Sequence, residues 1–136
     1  MALKLFIADD SALIRRRLSE LLSDIAEVTL AGQAADAPTA LRLILQLNPD
    51  VVILDLHMPG GSGLEVLRQL RQRGSKAIVI ILTAFPFPRY TERVHEIGAD
   101  FFFDKADGFE QISEIIKVLL PQTAATSPQD DGESEA

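Results

Sequence analysis

The chain contains no cysteine among its 136 residues. Disulfides, thiolate nucleophiles and cysteine metal ligands are therefore excluded, and nothing in the composition requires an oxidising compartment. No apolar run approaches the roughly 20 residues that a membrane-spanning helix needs. The N-terminus also lacks the basic, apolar and small-residue segments of a signal peptide. We therefore expect a cytoplasmic protein without a membrane partner.

Basic residues are also scarce, since 13 Lys and Arg stand against 20 Asp and Glu and leave a net charge of −7. Nucleic-acid binding needs clustered cations, so no nucleic-acid partner is expected. A hydrophobic fraction of 47% and this length suit one globular domain, which we place at residues 1–120. Residues 121–136, PQTAATSPQDDGESEA, lack large apolar side chains and predict a disordered acidic tail, with no DNA-binding output domain.

Short apolar runs alternate along the chain with segments of helical periodicity. Four runs predict strands buried on both faces of a sheet, and a weaker, partly alternating run predicts an edge strand. In chain order they are Leu3–Ala8, the weaker Ala26–Ala31, Val51–Leu54, Ala77–Leu82 and Phe101–Phe103. Repeated β-α units with right-handed crossovers imply a parallel five-stranded sheet with helices on both faces. The expected fold class is α/β, an open (βα)5 three-layer sandwich.

Capping residues mark the boundaries of the predicted helices. Ser11, Ser62 and Thr91 suit helix starts, because their hydroxyls can accept hydrogen bonds from backbone N–H groups of the first turn. Gly74 and Gly98 stand where helices should end.

Polar side chains follow the predicted strands at their carboxyl ends, where open parallel sheets bind ligands. They are Asp9 and Asp10 after the first strand, Asp55 after the third, Thr83 at the end of the fourth and Lys105 after the fifth. Carboxylates at about 4 Å repel by roughly 4 kcal/mol per pair at an effective dielectric near 20, so three of them need a cation. An all-oxygen set suits Mg²⁺, whereas zinc favours His or Cys. Asp10 and Asp55 would bind the ion directly, Asp9 through water, and the backbone carbonyl of His57 would add an oxygen.

These residue types predict phosphoryl chemistry at Asp55, whose carboxylate can attack phosphorus to form an acyl phosphate. Lys105 would neutralise charge on the phosphoryl oxygens, and the Thr83 hydroxyl would donate a hydrogen bond to one of them. Each residue alone has a simpler role as a helix or turn cap, a strand-end hydroxyl or a surface charge. Their joint placement at one edge of the sheet favours a functional site.

Four segments resemble the receiver domain of bacterial response regulators: KLFIADDSALIRRRL, VVILDLHMPGGSGLEVL, VIILTA and GADFFFDKA. The resemblance spans residues 3–120. It implies a flavodoxin-like sheet in the order 2-1-3-4-5. It also implies a phosphoryl donor, which is the phosphohistidine of a sensor histidine kinase or of a histidine phosphotransfer protein. Such a domain catalyses its own phosphorylation and dephosphorylation and is a signalling component, not a metabolic enzyme.

The resemblance assigns a role to each matching position. Asp9 and Asp10 become the acidic pair, Asp55 the phosphoacceptor, Thr83 the switch hydroxyl, Lys105 the phosphate-contacting lysine and Phe102 the switch aromatic. Phe102 would turn inward as phosphorylation draws Thr83 towards the phosphate, although a buried strand residue that does not move explains it equally well. The face of the fourth helix, fifth strand and fifth helix would bind a downstream protein or a second copy.

Two segments depart from the family pattern. Ala106 follows Lys105 where the family usually has proline, and a cis bond before alanine costs about 2.5–4 kcal/mol, so we expect a trans bond. The loop after Thr83 holds two prolines, so the fourth helix should begin late. The aromatic residues Phe85, Phe87 and Tyr90 in this segment form either a partner surface or packing under the loop.

Three other functions remain open from the sequence. A haloacid-dehalogenase-like phosphohydrolase also uses an aspartate at the end of a strand. That family has the pattern DxD, with a second acidic residue two positions after the first, whereas here His57 stands two positions after Asp55. A flavodoxin-like cofactor binder would use a Ser/Thr/Gly-rich phosphate loop, where this chain has Asp9, Asp10 and Ser11. A receiver fold used only as a constitutive binding module would not need Asp55, Thr83 and Lys105 together.

Overall fold

The computed structural model describes residues 2–124, which form a three-layer α/β sandwich. The strands of the main sheet are β1 (Leu3–Ala8), β2 (Val28–Ala34), β3 (Val51–Leu54), β4 (Ile78–Thr83) and β5 (Phe101–Asp104). The helices are α1 (Ala12–Ser23), α2 (Ala37–Leu47), α3 (Gly63–Gln72), α4 (Pro88–Ile97) and α5 (Phe109–Ala124). A short antiparallel hairpin, His57–Met58 with Gly61–Ser62, lies between β3 and α3. The five strands are parallel in the order β2-β1-β3-β4-β5, which confirms the predicted flavodoxin-like order 2-1-3-4-5.

The central strands are buried on both faces because successive side chains point to opposite sides of the sheet. In β1, Leu5 and Ile7 join the core against α1 and α5, whereas Phe6 and Ala8 join the core against α2, α3 and α4. Strands β3 and β4 divide their residues in the same way. Each fully buried side chain of this kind stabilises the fold by roughly 1.5–3 kcal/mol, so the two cores hold the strand ends in fixed positions.

The register of the sheet aligns the carboxyl ends of neighbouring strands. Ala8 of β1 pairs with Leu54 of β3, so the residues that follow them, Asp9 and Asp55, leave the sheet side by side. Thr83 at the end of β4 pairs with Asp104 of β5, directly before Lys105. The polar residues predicted to share one edge of the sheet are therefore brought to that edge by strand pairing.

Most predicted helix boundaries are confirmed, with one error. The hydroxyls of Ser11 and Ser62 accept hydrogen bonds from Ile14 N and Glu65 N at the starts of α1 and α3. Helix α4 does begin late, but it begins at Pro88, so the prediction of a start at Thr91 was wrong. Proline suits the first helical position because its fixed φ is already helical and its missing N–H is not needed there.

The ends of helices α3 and α4 lie at the predicted glycines. Gly98 caps the C-terminus of α4, and Gly74 follows Arg73, which caps the C-terminus of α3 after its last residue, Gln72. Both glycines have positive φ, the conformation that glycine adopts at little cost.

The two edge strands differ from the sequence prediction in detail. Strand β2 is an edge strand, as predicted, but it runs Val28–Ala34, a few residues later than expected. Strand β5 was predicted to be buried on both faces, which was wrong: its residues are only half-buried, because it forms the opposite edge and has one strand neighbour.

At the C-terminus, α5 continues to Ala124, past the domain boundary that we placed at residue 120. The rest of the predicted tail, residues 125–136, lies outside the described residues. No helix within residues 2–124 is long and apolar enough to cross a bilayer.

Candidate functional site

Asp9 and Asp55 occupy equivalent places just beyond two neighbouring strands. The backbone N–H of Asp55 donates to the carbonyl of Ala8 at 2.9 Å, and that of Asp9 donates to the carbonyl of Ala34 at 3.0 Å. These bonds extend the sheet by one residue and fix both backbones. The residues are only 2% and 4% exposed, whereas Asp10 next to Asp9 is exposed. Two of the three acidic groups thus lie largely out of water.

The carboxylates of Asp9, Asp10 and Asp55 form a compact group in which one oxygen of each lies within 4.8 Å of the others. It is the one cluster of three or more candidate metal-binding side chains within residues 2–124. Charged oxygens without imidazole or thiolate form the donor set that hard divalent cations such as Mg²⁺ prefer. The prediction that strand ends would gather these three residues is confirmed.

Lys105 reaches into this group from the loop after β5. Its Nζ lies 2.8 Å from Asp9 Oδ2 and 3.1 Å from Asp55 Oδ2, so one ammonium bridges both buried carboxylates. Its backbone N–H donates to the carbonyl of Thr83 at 2.8 Å, which fixes the start of the loop. One lysine against three carboxylates leaves the cluster with an excess of negative charge.

The remaining oxygens of the cluster differ in their partners. Asp9 Oδ1 accepts a hydrogen bond from Ser11 N at 2.9 Å, and Asp55 Oδ1 accepts one from His57 N at 3.2 Å. Within the described chain, the Asp10 carboxylate has no hydrogen-bond donor. All four oxygens of Asp9 and Asp55 are therefore engaged by protein donors, while Asp10 is exposed and open to a cation. This difference makes the Asp10 carboxylate the most accessible of the three to a cation.

Burial raises the pKa of Asp55 above its usual range, and the nearby charge of Asp9 adds to the effect. Lys105 and the N–H of His57 act in the opposite direction without cancelling it. Burial opposes the charged form of Lys105, but its hydrogen bond to Asp9 and the charge of Asp55 outweigh burial and raise the lysine pKa. The lysine is thus firmly protonated, and the ionised form of Asp55 remains under-compensated. A further cation would relieve that imbalance.

A close backbone approach brings the start of α3 up to Asp55. A Cβ on Gly63 would lie 2.0 Å from the carbonyl oxygen of Asp55, so another residue there would displace the chain. The Gly63 N–H donates to the carbonyl of Leu56 at 2.9 Å. The sequence analysis assigned no role to Gly63, so it missed this close approach.

The loop that holds Lys105 has the trans peptide bond that we expected before Ala106. No peptide bond in the described part of the chain is cis, so the Lys105–Ala106 bond is trans, as predicted. The Ala106 N–H donates to Asp104 Oδ1 at 2.9 Å, which closes the turn after β5.

Thr83 and the loop after it lie beside the cluster. Thr83 is fully buried, and its hydroxyl oxygen accepts a hydrogen bond from Phe85 N at 3.1 Å. Phe85 and Phe87 are 48% and 49% exposed, whereas Tyr90 is half-buried and packs against the core under α4. The loop therefore combines both alternatives that the sequence left open: an exposed aromatic surface and a ring packed beneath it.

Phe102 lies within β5, where it pairs with Ile81, and it is half-buried against the same core cluster as Tyr90. The strands thus bring Asp9, Asp10, Asp55 and Lys105 into direct proximity, with Thr83 at the same edge and His57 bonded to Asp55 through its N–H. Phe102 stands apart from this group in the sheet.

Comparisons with known proteins agree with this geometry. The family described as response regulator receiver domain matches residues 5–117. The uncharacterized transcriptional regulatory protein YvfU of Bacillus subtilis is 36% identical over 127 residues, which cover 93% of this chain and 64% of that protein. The chain thus spans less than two thirds of that relative's length.

Solved structures share the fold. A LuxR-family DNA-binding response regulator from Staphylococcus aureus superposes with a TM-score of 0.80 at 33% identity, over 85% of this chain and 97% of that one. The CheY chain of a CheX-CheY-BeF3-Mg complex from Borrelia burgdorferi has a TM-score of 0.78 at 22% identity, over 86% and 88% of the two chains. At that identity the second match shows the fold alone. The chain belongs to the response regulator receiver family.

Proposed function

We propose that Asp55 accepts a phosphoryl group in a Mg²⁺-dependent reaction and that the phosphorylated domain signals through protein contacts. The observation that carries this proposal is the group of three carboxylates with oxygens within 4.8 Å, two of them bridged by Lys105. Such a group repels itself unless a divalent cation joins it. One of its members, Asp55, is held at a strand end by backbone hydrogen bonds and can serve as a nucleophile.

The phosphoryl donor is the phosphohistidine of a sensor histidine kinase or of a histidine phosphotransfer protein. A carboxylate oxygen of Asp55 bonds to phosphorus while the P–N bond breaks, and the electron pair leaves with the donor imidazole. Lys105 Nζ, 3.1 Å from Asp55, is placed to neutralise charge on the transferred group. The Thr83 hydroxyl, whose oxygen already accepts from Phe85 N, can donate its proton to a phosphoryl oxygen. Asp10, Asp55 and the His57 carbonyl would hold Mg²⁺, which supplies charge neutralisation at the phosphoryl oxygens.

A phosphoryl group on Asp55 would also change the surface through which the domain signals. Movement of Thr83 would leave space that Phe102, packed against the core beside α4, can fill by turning inward. The face of α4, β5 and α5 would then change shape and bind a downstream protein or a second copy of the chain. We place the functional domain at residues 1–120, with the helical extension of α5 beyond it, in a cytoplasmic setting.

Phosphorylation by a small donor tests the proposal directly. Incubation with acetyl phosphate and Mg²⁺ should add one phosphoryl mass to the intact protein, whereas Asp55→Asn, or chelation of the metal, should abolish the gain. Asp107→Asn is the matched control, since this exposed carboxyl lies after β5 and outside the acidic cluster. Absence of a mass gain in wild type with acetyl phosphate and with a phosphohistidine donor would refute the assignment. Turnover of small phosphate esters would indicate a phosphohydrolase instead.

The lifetime of the phosphoryl group should depend on Phe85. The Phe85 ring contacts the His57 ring with centroids 4.8 Å apart, and both flank the phosphoacceptor loop. We expect the bulk of Phe85 to restrict a water in line with the acyl phosphate, so Phe85→Ala should release phosphate faster. The rate of phosphate loss after removal of the donor measures this. An unchanged rate would show that Phe85 does not shield the site.

A further inference from the structure

The His57 imidazole contacts two aromatic rings that come from different elements. It meets Phe85 of the β4–α4 loop edge to face at 4.8 Å and 77°, and Tyr90 of α4 edge to face at 5.7 Å and 76°. We call His57, Phe85 and Tyr90 the aromatic latch. Edge-to-face pairs at such distances stabilise by specific geometry as well as by burial. The latch therefore joins the phosphoacceptor loop to the start of α4.

Both ends of the latch are also bonded through the backbone to groups of the candidate site. The His57 N–H donates to Asp55 Oδ1 at 3.2 Å, and the Phe85 N–H donates to the Thr83 hydroxyl oxygen at 3.1 Å. A shift of the His57 backbone therefore moves the His57 ring, which contacts the Phe85 ring. A shift of Thr83 moves the Phe85 backbone and, with it, the Phe85 ring. The two sides of the site are mechanically connected outside the sheet.

The start of α4 lacks the side-chain cap that three other helix starts have. Phe87 at its N-cap forms no side-chain hydrogen bond to the first turn, unlike the caps of α1, α2 and α3. Ring contacts instead hold this end, since Phe87 packs on Phe85 at 6.4 Å and on Tyr90 at 5.9 Å. Through Phe87, the rings of the aromatic latch therefore contribute to the position of the α4 N-terminus, beside a hydrogen bond from Thr91 Oγ1 to the Phe87 carbonyl at 3.4 Å.

We infer that Phe85 and Tyr90, acting through the His57 ring, position the backbone of His57 for cation binding and report occupancy of the site to α4. The inference rests on the proposed function, because it takes the His57 carbonyl as a Mg²⁺ ligand. In it His57, Phe85 and Tyr90 are positioning residues, and the imidazole itself binds no metal. Coupling of this kind is reciprocal, so a contact that transmits occupancy also sets affinity.

The composition of the chain supplies a local probe. Tyr90 is the single tyrosine and there is no tryptophan, so ultraviolet emission above the phenylalanine background reports on this residue alone. Titration with Mg²⁺, and then with Mg²⁺ and beryllofluoride, should change Tyr90 emission and its quenching by acrylamide. The midpoint should match the dissociation constant obtained independently by calorimetry.

Three variants isolate the contribution of ring packing to cation binding. His57→Ala keeps the backbone carbonyl and N–H but removes the ring, and it should raise the Mg²⁺ dissociation constant about tenfold, the lower end of losses from disturbed metal-ligand support, and abolish the Tyr90 response. His57→Phe restores an aromatic ring and should recover both properties. His95→Ala removes the other histidine, an exposed residue of α4 whose ring contacts the Ala99 carbonyl, and should change neither.

The outcomes distinguish the inference from the proposed function. If calorimetry detects no Mg²⁺ binding to wild type, the proposed metal site is wrong and the latch has nothing to position. If wild type binds Mg²⁺ while His57→Ala binds equally well with the same Tyr90 response, the latch is wrong and the proposed function stands. If His57→Phe behaves as His57→Ala, the imidazole and not ring packing matters, and the inference is overturned. Circular dichroism of each variant confirms that the exposed position tolerates the change.

Discussion

Two partly buried cations, Arg71 and Lys105, are surrounded very differently. Arg71 is 22% exposed and donates to the carbonyls of Ser75 and Ala77 at 3.0 and 2.8 Å and to that of Gly98 at 3.1 and 2.8 Å. Its last partner is the Asp100 carboxylate at 3.2 Å, which also accepts from Val79 N. Lys105 is 16% exposed, and within residues 2–124 its ammonium contacts only the carboxylates of Asp9 and Asp55.

The difference separates a structural network from a functional one. At Arg71, neutral carbonyls and one carboxylate satisfy a single cation, and the network ties the end of α3 to the start of β4 and the end of α4. Around Lys105, two buried carboxylates share one ammonium, a third carboxylate lies close by, and the pKa of Asp55 is raised. The first network satisfies its cation within the protein, whereas the second keeps an excess of negative charge that a further cation would neutralise. Natural proteins commonly accept such instability where function needs it.

Removal of the Arg71 guanidinium should have the largest effect on stability. Arg71→Met leaves the carbonyls of Ser75, Ala77 and Gly98 without this donor, and at about 1 kcal/mol each the loss is roughly 3 kcal/mol. Urea unfolding measures the change. The control is Arg68→Ala, which breaks an exposed pair with Glu65 and should cost no more than about 0.5 kcal/mol. Equal losses in the two variants would contradict the comparison.

Magnesium should raise the free energy of unfolding by nearly as much as Arg71→Met lowers it. A ligand at 100 times its dissociation constant adds about 2.7 kcal/mol to the free energy of unfolding when it binds only the folded state. Asp10→Asn should remove most of this gain, because Asp10 is exposed and its carboxylate is open to the ion. Thermal unfolding with and without Mg²⁺ measures the effect, and Asp107→Asn should respond like wild type. A gain that survives in Asp10→Asn would place the cation elsewhere.

Neutralisation of Asp55 should stabilise the metal-free protein by a smaller amount. Burial and the charge of Asp9 raise the pKa of Asp55, so the folded state disfavours the ionised carboxyl and Asp55→Asn in chelator should raise the free energy of unfolding. Lys105 would keep its contact with Asp9 at 2.8 Å. Lys105→Met makes the opposite change and should destabilise, because it leaves two buried carboxylates without their shared cation. Loss of stability in both variants would mean that the cluster is balanced without metal.

The sequence predicted the sheet well because burial on two faces leaves an unmistakable apolar pattern. Leu3–Ala8 and Val51–Leu54 have the predicted bounds, and the carboxyl ends of these strands gather the acidic group as expected. The edge strands were less well predicted, since one strand neighbour leaves part of the surface open and the apolar signal no longer matches burial. Local propensity also misplaced the start of α4, where proline and ring packing replace a hydroxyl cap.

Long-range side-chain geometry was beyond the sequence. Nothing in the pattern around Arg71 indicates that it joins three segments, because its partners are backbone carbonyls, which every residue has. The contact of His57 with Tyr90, 33 positions later in the chain, likewise depends on the path of the β4–α4 loop. Gly63 could have been suspected from the glycine-rich segment, but the atom that it approaches, the Asp55 carbonyl oxygen, could not.

The pH dependence of stability should distinguish the two networks by the smallest of these effects. Because the pKa of Asp55 is higher in the folded than in the unfolded state, the folded protein binds more protons between the two values. Stability contributed by this group therefore rises as the pH falls through the raised pKa towards the ordinary carboxyl range near pH 4. The advantage of Asp55→Asn over wild type in the free energy of unfolding, measured in chelator, should shrink over that interval.

The difference between Arg71→Met and wild type should show no such convergence there, because the guanidinium stays protonated and its main partners are carbonyls that do not titrate. An advantage of Asp55→Asn that stays constant down to about pH 4 would mean that Asp55 titrates normally, and the contrast between a satisfied and an under-compensated network would lose its electrostatic basis.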